Sequence, residues 1–263
     1  MTERPAKRFH SIMEISAAEW LAALKLPAAD IPDIVIVEGT WWRAERTAWR
    51  LSFLEDVREL AFPDIFFGRW QGRKVVYCCA YGAPRTVEII HLFGLLGAQL
   101  AVQIGTCGGL QPHLRTGDII LPTTALCREG VARYYGAPET ADAAPAWVAR
   151  AQDWLIQRGH TTYTGTHLTW SSLFAQDAAL VEGWHDAGYL AVDMETATTL
   201  AVSRYFGMAA LAMLVVWDDL TRGRSFLDPL SDAELQRLDA GNRDVFAAAL
   251  ALAEQLPHHA APT

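Results

Sequence analysis

The sequence predicts a single α/β domain whose central sheet is covered by helices on both faces. Three observations carry this reading. Short, largely apolar runs recur at 33–37, 75–79, 100–104 and 209–216, as strands buried on both faces do. Stretches of helical periodicity separate them, which is the alternation of an α/β fold. The chain has 263 residues, 51% of them hydrophobic, which suits one large core better than two small ones, and no linker or internal repeat divides it.

The elements follow in order. Ser16 and Glu19 form a Ser-x-x-Glu capping box that opens a short amphipathic helix with Trp20, Leu21 and Leu24. Residues 33–37 are a buried strand ending at Glu38-Gly39, and a helix follows over about 42–54. Residues 75–79 form the next strand, Tyr81-Gly82-Ala83-Pro84 a turn, and 85–96 a helix. The strand at 100–104 ends in a glycine-rich turn, 105–109. Strands at 119–121 and 163–168 come next, and a short strand at 190–192 feeds a helix over 194–206. After the strand at 209–216, Ser231 and Glu234 cap a long final helix that runs to about residue 256. The expected domain spans 1–263, with a short disordered tail at about 257–263.

Composition narrows the function. Thirty acidic residues against 22 basic ones give a net charge of −8, and no basic block stands out, so a nucleic-acid partner is not expected. The start, MTERPAKRFH, has no apolar core and does not read as a secretory signal. The longest apolar stretch, 208–217, is far too short to span a membrane. A cytoplasmic location is expected by elimination. Cys78, Cys79, Cys107 and Cys127 form no Cys-x-x-Cys pair and read as reduced core thiols. The eight histidines show no metal-ligand spacing, so no metal is expected.

In sheets of this kind ligands gather where strands end in turns. That selects four places: Glu38-Gly39, Tyr81-Gly82, the segment 105–109, and Trp217-Asp218-Asp219. In Gly105-Thr106-Cys107-Gly108-Gly109 the glycines let backbone approach an anion and the Thr106 hydroxyl can donate to it. No Gly-Lys-Ser/Thr follows, so it is not a P-loop, nor is it a dinucleotide fingerprint. Glu195, at a strand-to-helix junction, has two readings: an acceptor for a vicinal diol, or an acid that offsets a helix dipole. Asp218 also has two: a buried acid holding a proton for a leaving group, or half of a turn-capping pair with Asp219.

Taken in this order the pieces resemble one family. Ile-Gly-Thr-Cys-Gly-Gly-Leu-Gln-Pro at 104–112 and Arg-Thr-Gly-Asp-Ile-Ile-Leu-Pro at 115–122 are similar to the central signature of the nucleoside phosphorylases of the purine, uridine and methylthioadenosine nucleosidase type. Val-Asp-Met-Glu-Thr-Ala-Thr at 192–198 resembles their ribose-binding segment, and Val-Val-Trp-Asp-Asp at 215–219 the segment with a purine-protonating aspartate. Arg8-Phe9-His10 is similar to an N-terminal segment that lends a histidine to a neighbouring subunit. The matches run from about residue 8 to residue 250.

The resemblance implies a mixed, twisted central sheet flanked by helices, and a homodimer or higher homo-oligomer in which His10 reaches the neighbouring site. It implies nucleoside and inorganic phosphate as the substrates, with no cofactor. Asp218 and Glu195 become the catalytic residues, Asp218 protonating the base and Glu195 holding the 2′- and 3′-hydroxyls. Met194 lies under the ribose, and Trp170, Leu173 and Phe174 are candidates for the base, with ordinary core packing expected for at least one of the three. Gly39, Arg43 and Thr106 match the phosphate site. Two arginines of the family's phosphorylases are missing: Gln103 stands in one position, and the count for the other falls on Ala61, near Arg58. Arg85, where the family has a small hydroxyl residue, is the candidate to clamp the phosphate with Arg43, Thr106 being a third donor and Gln103 a neutral one; a solvated helix charge is an equal reading of Arg85 and the favoured one of Arg58. Asp218, and the lack of an arginine after Gln176, favour a purine-like base over uracil. Phosphorolysis ranks first, hydrolysis of the same bond second, and a non-catalytic nucleoside-binding protein a distant third.

Overall fold

A computed structural model describes residues 12–257; His10 lies outside them. In chain order the elements are α1 (Ala17–Leu24), β1 (Ile34–Gly39), α2 (Arg43–Leu51), β2 (Glu55–Glu59), β3 (Phe66–Trp70), β4 (Arg73–Cys79) and α3 (Ala83–Leu95). They continue with β5 (Leu100–Gly109), β6 (Ile119–Arg128), β7 (Thr140–Asp142), α4 (Pro145–Gln157), β8 (Thr162–Trp170) and α5 (Ala178–Asp186). The last are β9 (Ala191–Asp193), α6 (Thr196–Tyr205), β10 (Ala209–Asp219) and α7 (Asp232–Glu254).

The sheet is mixed, as expected. Its strands run β10-β6-β8-β9-β5-β1-β4-β3-β2, and β10 also pairs with β5, so five strands close into a ring from which β1, β4, β3 and β2 extend. β1 pairs in parallel with β4 and β5, and β5 in parallel with β10, while β5 with β9 and β6 with β10 are antiparallel. The parallel centre is apolar on both faces because helices cover it: α3 packs with α6, and α4 with α7. Ile34, Val35, Ile36 and Val37 are fully buried, as are Leu100, Ala101 and Val102 beside them. Ser16 and Ser231 each close a capping box with Glu19 and Glu234, where the sequence placed them.

Two features differ from the sequence reading. The segment 105–109 is not a turn but the second half of β5, which runs on to Gly109. Its glycines serve close packing between strands: a Cβ on Gly105 would stand 2.9 Å from the carbonyl oxygen of Gly39, and one on Gly108 would stand 2.7 Å from Leu220. The second difference is the charged strand β2, Glu-Asp-Val-Arg-Glu, whose pattern is not that of a strand. It exists because β3 pairs with it at the sheet edge, where charged side chains stay in water.

One buried polar cluster fixes the exit of β1. The Arg50 guanidinium is fully buried and makes two bonds to Glu38, 2.9 Å to Oε2 and 3.0 Å to Oε1. The Tyr77 hydroxyl donates to the same carboxylate at 2.8 Å. Glu38 therefore ties β1, α2 and β4 together one residue before Gly39.

Candidate active site

The four strand-end places selected from sequence meet in one cavity. Gly39 at the end of β1, Tyr81 after β4, Thr106 and Gly108 on β5, and Trp217 with Asp218 on β10 all line it. The junction between β9 and α6 adds Asp193, Met194 and Glu195. The cavity opens to solvent at its mouth, and its enclosed part is small, about 100 Å³.

Glu195 precedes the first residue of α6, but its carboxylate does not cap that helix. It reaches across to the turn after β4, where Oε1 accepts the Gly82 N–H at 2.5 Å, and Oε2 accepts the Met194 N–H at 3.3 Å. The space it needs exists because residue 39 is glycine: a Cβ there would stand 2.7 Å from Oε2 and 2.8 Å from the carboxylate carbon. Burial, and then the negative charge of Asp193, push the Glu195 carboxyl up to about 8.

Behind Glu195 lies a buried polar cluster centred on Asp193. Its carboxylate accepts from Gln103 Nε2 at 2.7 Å, Thr169 Oγ1 at 2.9 Å and the Thr196 N–H at 2.9 Å. His167 Nε2 stands 3.0 Å from Oδ1, and His167 is fully buried. Burial works against the Asp193 charge, yet His167 and these donors hold its carboxyl below the usual range. The Thr196 hydroxyl lies 2.7 Å from Gln103 Oε1, so both ends of the Gln103 amide are engaged.

Asp218 owes its direction to an irregularity in β10. The pairing with β5 shifts register between Val216 and Asp218, so two consecutive side chains, Trp217 and Asp218, both face the cavity. The neighbouring Asp219 is spent on the turn, accepting from Thr221 Oγ1 at 2.8 Å and pairing with Arg222. Asp218 Oδ1 is buried with no hydrogen-bond partner among the described residues. Burial, then the charge of Asp228, push its carboxyl up to about 7. Of the two adjacent aspartates, Asp219 is engaged in the turn, and Asp218 stands in the cavity with one oxygen unpartnered among the described residues.

Comparison with known proteins fits this geometry. The sequence profile of the Phosphorylase superfamily matches residues 16–252. The chain belongs to the Phosphorylase superfamily. Among its relatives is a purine nucleoside phosphorylase of the DeoD type from Caldanaerobacter subterraneus, 29% identical over 203 residues, which cover 74% of this chain and 87% of that protein. A guanosine phosphorylase from Halorubrum lacusprofundi is 26% identical over 206 residues, covering 76% and 84%. In fold, the chain is similar to the crystal structure of uridine phosphorylase from Vibrio fischeri, with a TM-score of 0.75 at 22% identity over 87% of this chain and 94% of that one.

Within this superfamily member, the residues singled out from sequence separate into two groups. Gly39, Thr106, Leu173, Met194, Glu195 and Asp218 line the cavity together. Arg43 does not: it sits in the first turn of α2, 60% exposed, 3.5 Å from Asp64. Arg85 is a correction. Its guanidinium donates to Glu88 at 2.7 Å and to the Pro63 carbonyl at 2.8 Å, and it lines no part of the cavity. Gln103 is a second correction, since burial and the bonds to Asp193 and Thr196 take it away from any anion. Arg58 pairs with Asp30 at 2.6 Å. Trp170 packs against Trp184 at 5.3 Å in a small core with Leu110, Leu168 and Val192. Phe174 is 88% exposed and stacks on Trp41 at the rim.

Sequence reasoning missed the aromatic wall. Trp41, Trp42, Tyr81, Trp217 and Phe226 all line the cavity. The Trp41-Trp42 pair, separated from Gly39 only by Thr40, was a usable signal, because two adjacent tryptophans just past a strand-end glycine have no core position to fill; they are 43% and 45% exposed. For Phe226, in the irregular segment after β10, the sequence offered nothing. Among the described residues no lysine, arginine or histidine lines the cavity.

Proposed function

We propose that this chain is a nucleoside phosphorylase that cleaves the N-glycosidic bond of a purine-like nucleoside with inorganic phosphate, giving free base and ribose 1-phosphate. The observation that carries this is the pair of carboxylates in one cavity: Asp218, buried with a free oxygen, and Glu195, held over Gly39. Protonated Asp218 donates to the departing base, which then leaves neutral. Glu195 accepts from the sugar hydroxyls and orients the anomeric carbon. Phosphate lies by Gly39 and Thr106, on the face of the sugar away from the base, and its charge stabilises the cationic sugar of the transition state. Arg43 joins it by leaving Asp64; an exposed ion pair of this kind is worth only about 0–1 kcal/mol, so the exchange is cheap.

The cytoplasm is the proposed location, and a homodimer or larger assembly the proposed state. Among the described residues no helix is long and apolar enough to cross a membrane. His10 is proposed to complete the site of a neighbouring subunit. The test of the activity is a panel of nucleosides incubated with and without phosphate and scored for free base. Release of purines that requires phosphate supports the proposal; no release from any nucleoside refutes it.

A second reading has one observation in its favour. With no basic side chain lining the cavity among the described residues, water in place of phosphate would make the protein a nucleosidase. Equal base release with and without phosphate selects that reading.

A further inference from the structure

One buried titratable side chain takes no part in the proposed chemistry. His167, on β8, is fully buried outside the cavity lining, and its Nε2 stands 3.0 Å from Asp193 Oδ1. Its other ring nitrogen, Nδ1, is buried with no hydrogen-bond partner among the described residues. Packing alone favours an apolar side chain at such a place, because a buried imidazole carries the cost of its desolvated nitrogens. Asp193 is the group that offsets this cost. Thr169 lies two residues further along β8, on the same face as His167, and its hydroxyl donates to the same oxygen at 2.9 Å. Gln103 Nε2 approaches the other oxygen from β5 at 2.7 Å. Among the described residues His167 is the one basic side chain paired with this carboxylate.

Asp193 in turn fixes the segment that carries Glu195. Its Oδ2 accepts the Thr196 N–H, three residues on, at 2.9 Å, so Met194 and Glu195 lie inside a closed turn. From that turn the Glu195 carboxylate reaches the Gly82 N–H. A loose Asp193 would release the turn. Against burial, the His167 ring is the strongest influence that holds the Asp193 carboxyl below its usual range.

We propose that His167 is a positioning residue for the reaction: it locks Asp193, and through the turn that Asp193 closes it sets the Glu195 carboxylate against the sugar hydroxyls. The proposal rests on the reading of Glu195 as the acceptor for the 2′- and 3′-hydroxyls. Because His167 lies outside the cavity lining, its effect reaches the substrate only at the diol. The base side of the site, Trp217 and Asp218, belongs to β10 and stands apart from this chain of contacts.

The test sets His167→Gln beside Asp193→Asn, the double variant and Glu195→Gln, each with guanosine and 2′,3′-dideoxyguanosine. Base release is followed with phosphate present, and calorimetric Kd values for the two nucleosides replace the rates wherever turnover is too slow to follow. A misplacement of about 1 Å can cost about a hundredfold in rate, so His167→Gln should lower kcat/KM for guanosine about ten- to hundredfold and for the dideoxy analogue by less than about twofold. Asp193→Asn should show the same pattern, and adding His167→Gln to it should change nothing further, because the two residues act as one unit. A packing role alone would lower both substrates together and would add to the loss in Asp193→Asn; either result overturns the proposal. If His167→Gln does not fold, because it strands a buried charge, the comparison of Asp193→Asn with the double variant decides, since neither strands one. Glu195→Gln separates the two readings. A loss confined to guanosine in Glu195→Gln but shared by both substrates in His167→Gln overturns the proposal alone. An equal loss on both substrates in Glu195→Gln removes the diol reading and the proposal with it.

Discussion

Replacing Gly39 by alanine puts one methyl group against the Glu195 carboxylate. The added Cβ would stand 2.7 Å from Oε2, 2.8 Å from the carboxylate carbon and 3.0 Å from Oε1, so no rotation of the carboxylate avoids it. To reach ordinary contact the group must move by about 0.7 Å. That motion breaks the bond from the Gly82 N–H, now 2.5 Å long, and misplaces the acceptor for the sugar hydroxyls. With the Glu195 carboxyl pushed up to about 8, the bond counts as one to a neutral group, about 0.5–1.5 kcal/mol, so kcat/KM should fall roughly two- to tenfold. Folding should lose about 1–3 kcal/mol, from this overlap and not from backbone strain, because Gly39 is not in the left-handed region. The assay is initial-rate kinetics on a ribonucleoside and on its 2′,3′-dideoxy analogue, with thermal melting as the control. The loss should fall on the ribonucleoside alone. An equal loss on both substrates, or no loss on either, would refute the assignment of Glu195 to the diol.

Asp218→Asn should lower purine nucleoside turnover by about 10²–10⁴-fold. In the parent, turnover of a neutral purine should fall as pH rises through about 7, where Asp218 loses its proton, and the variant should lack this step. Because the folded-state carboxyl is raised above its unfolded value, its contribution to stability is present in acid and fades as pH rises towards about 7; urea titrations across that window should show a flatter profile for the variant. Arg43→Ala should raise the apparent KM for phosphate roughly tenfold or more, whereas Arg85→Ala, which loses Glu88, the Pro63 carbonyl and a contact to Cys78 Sγ, should leave it within about twofold. Arg50→Met should destabilise the fold by about 3–5 kcal/mol in denaturant unfolding, since it removes both short guanidinium bonds from the buried Glu38 and leaves it Tyr77 and the Arg46 guanidinium at 3.5 Å.

What could be read from sequence follows the physics of burial. The strands at the sheet centre are legible because both their faces are covered and every residue must be apolar, as at Ile34, Val35, Ile36 and Val37. Caps such as Ser16 and Ser231 are legible because their hydrogen bonds are local in sequence. β2 was not, because pairing with β3 rather than its own composition makes it a strand. α4 and α5 were passed over as well. The cavity was legible as four strand ends, and Glu195 and Asp218 as acids at two junctions. What each acid does was not legible, because Asp219 and Asp218 differ only in which neighbours reach them: Thr221 and Arg222 bind the first, and burial isolates the second. Gln103 misled for the same reason. Its place where the family's phosphorylases carry an arginine suggested an anion, while its true partner, Asp193, lies far along the chain.

The central claim is that the bond is broken by phosphate attack within this cavity. The most direct measurement is phosphorus NMR of the products formed from a purine ribonucleoside, inorganic phosphate and the parent enzyme. The account predicts a ribose 1-phosphate signal that grows in step with free base and is strongly reduced in Asp218→Asn. Free base accumulating with unphosphorylated ribose, at a rate independent of phosphate, would contradict it.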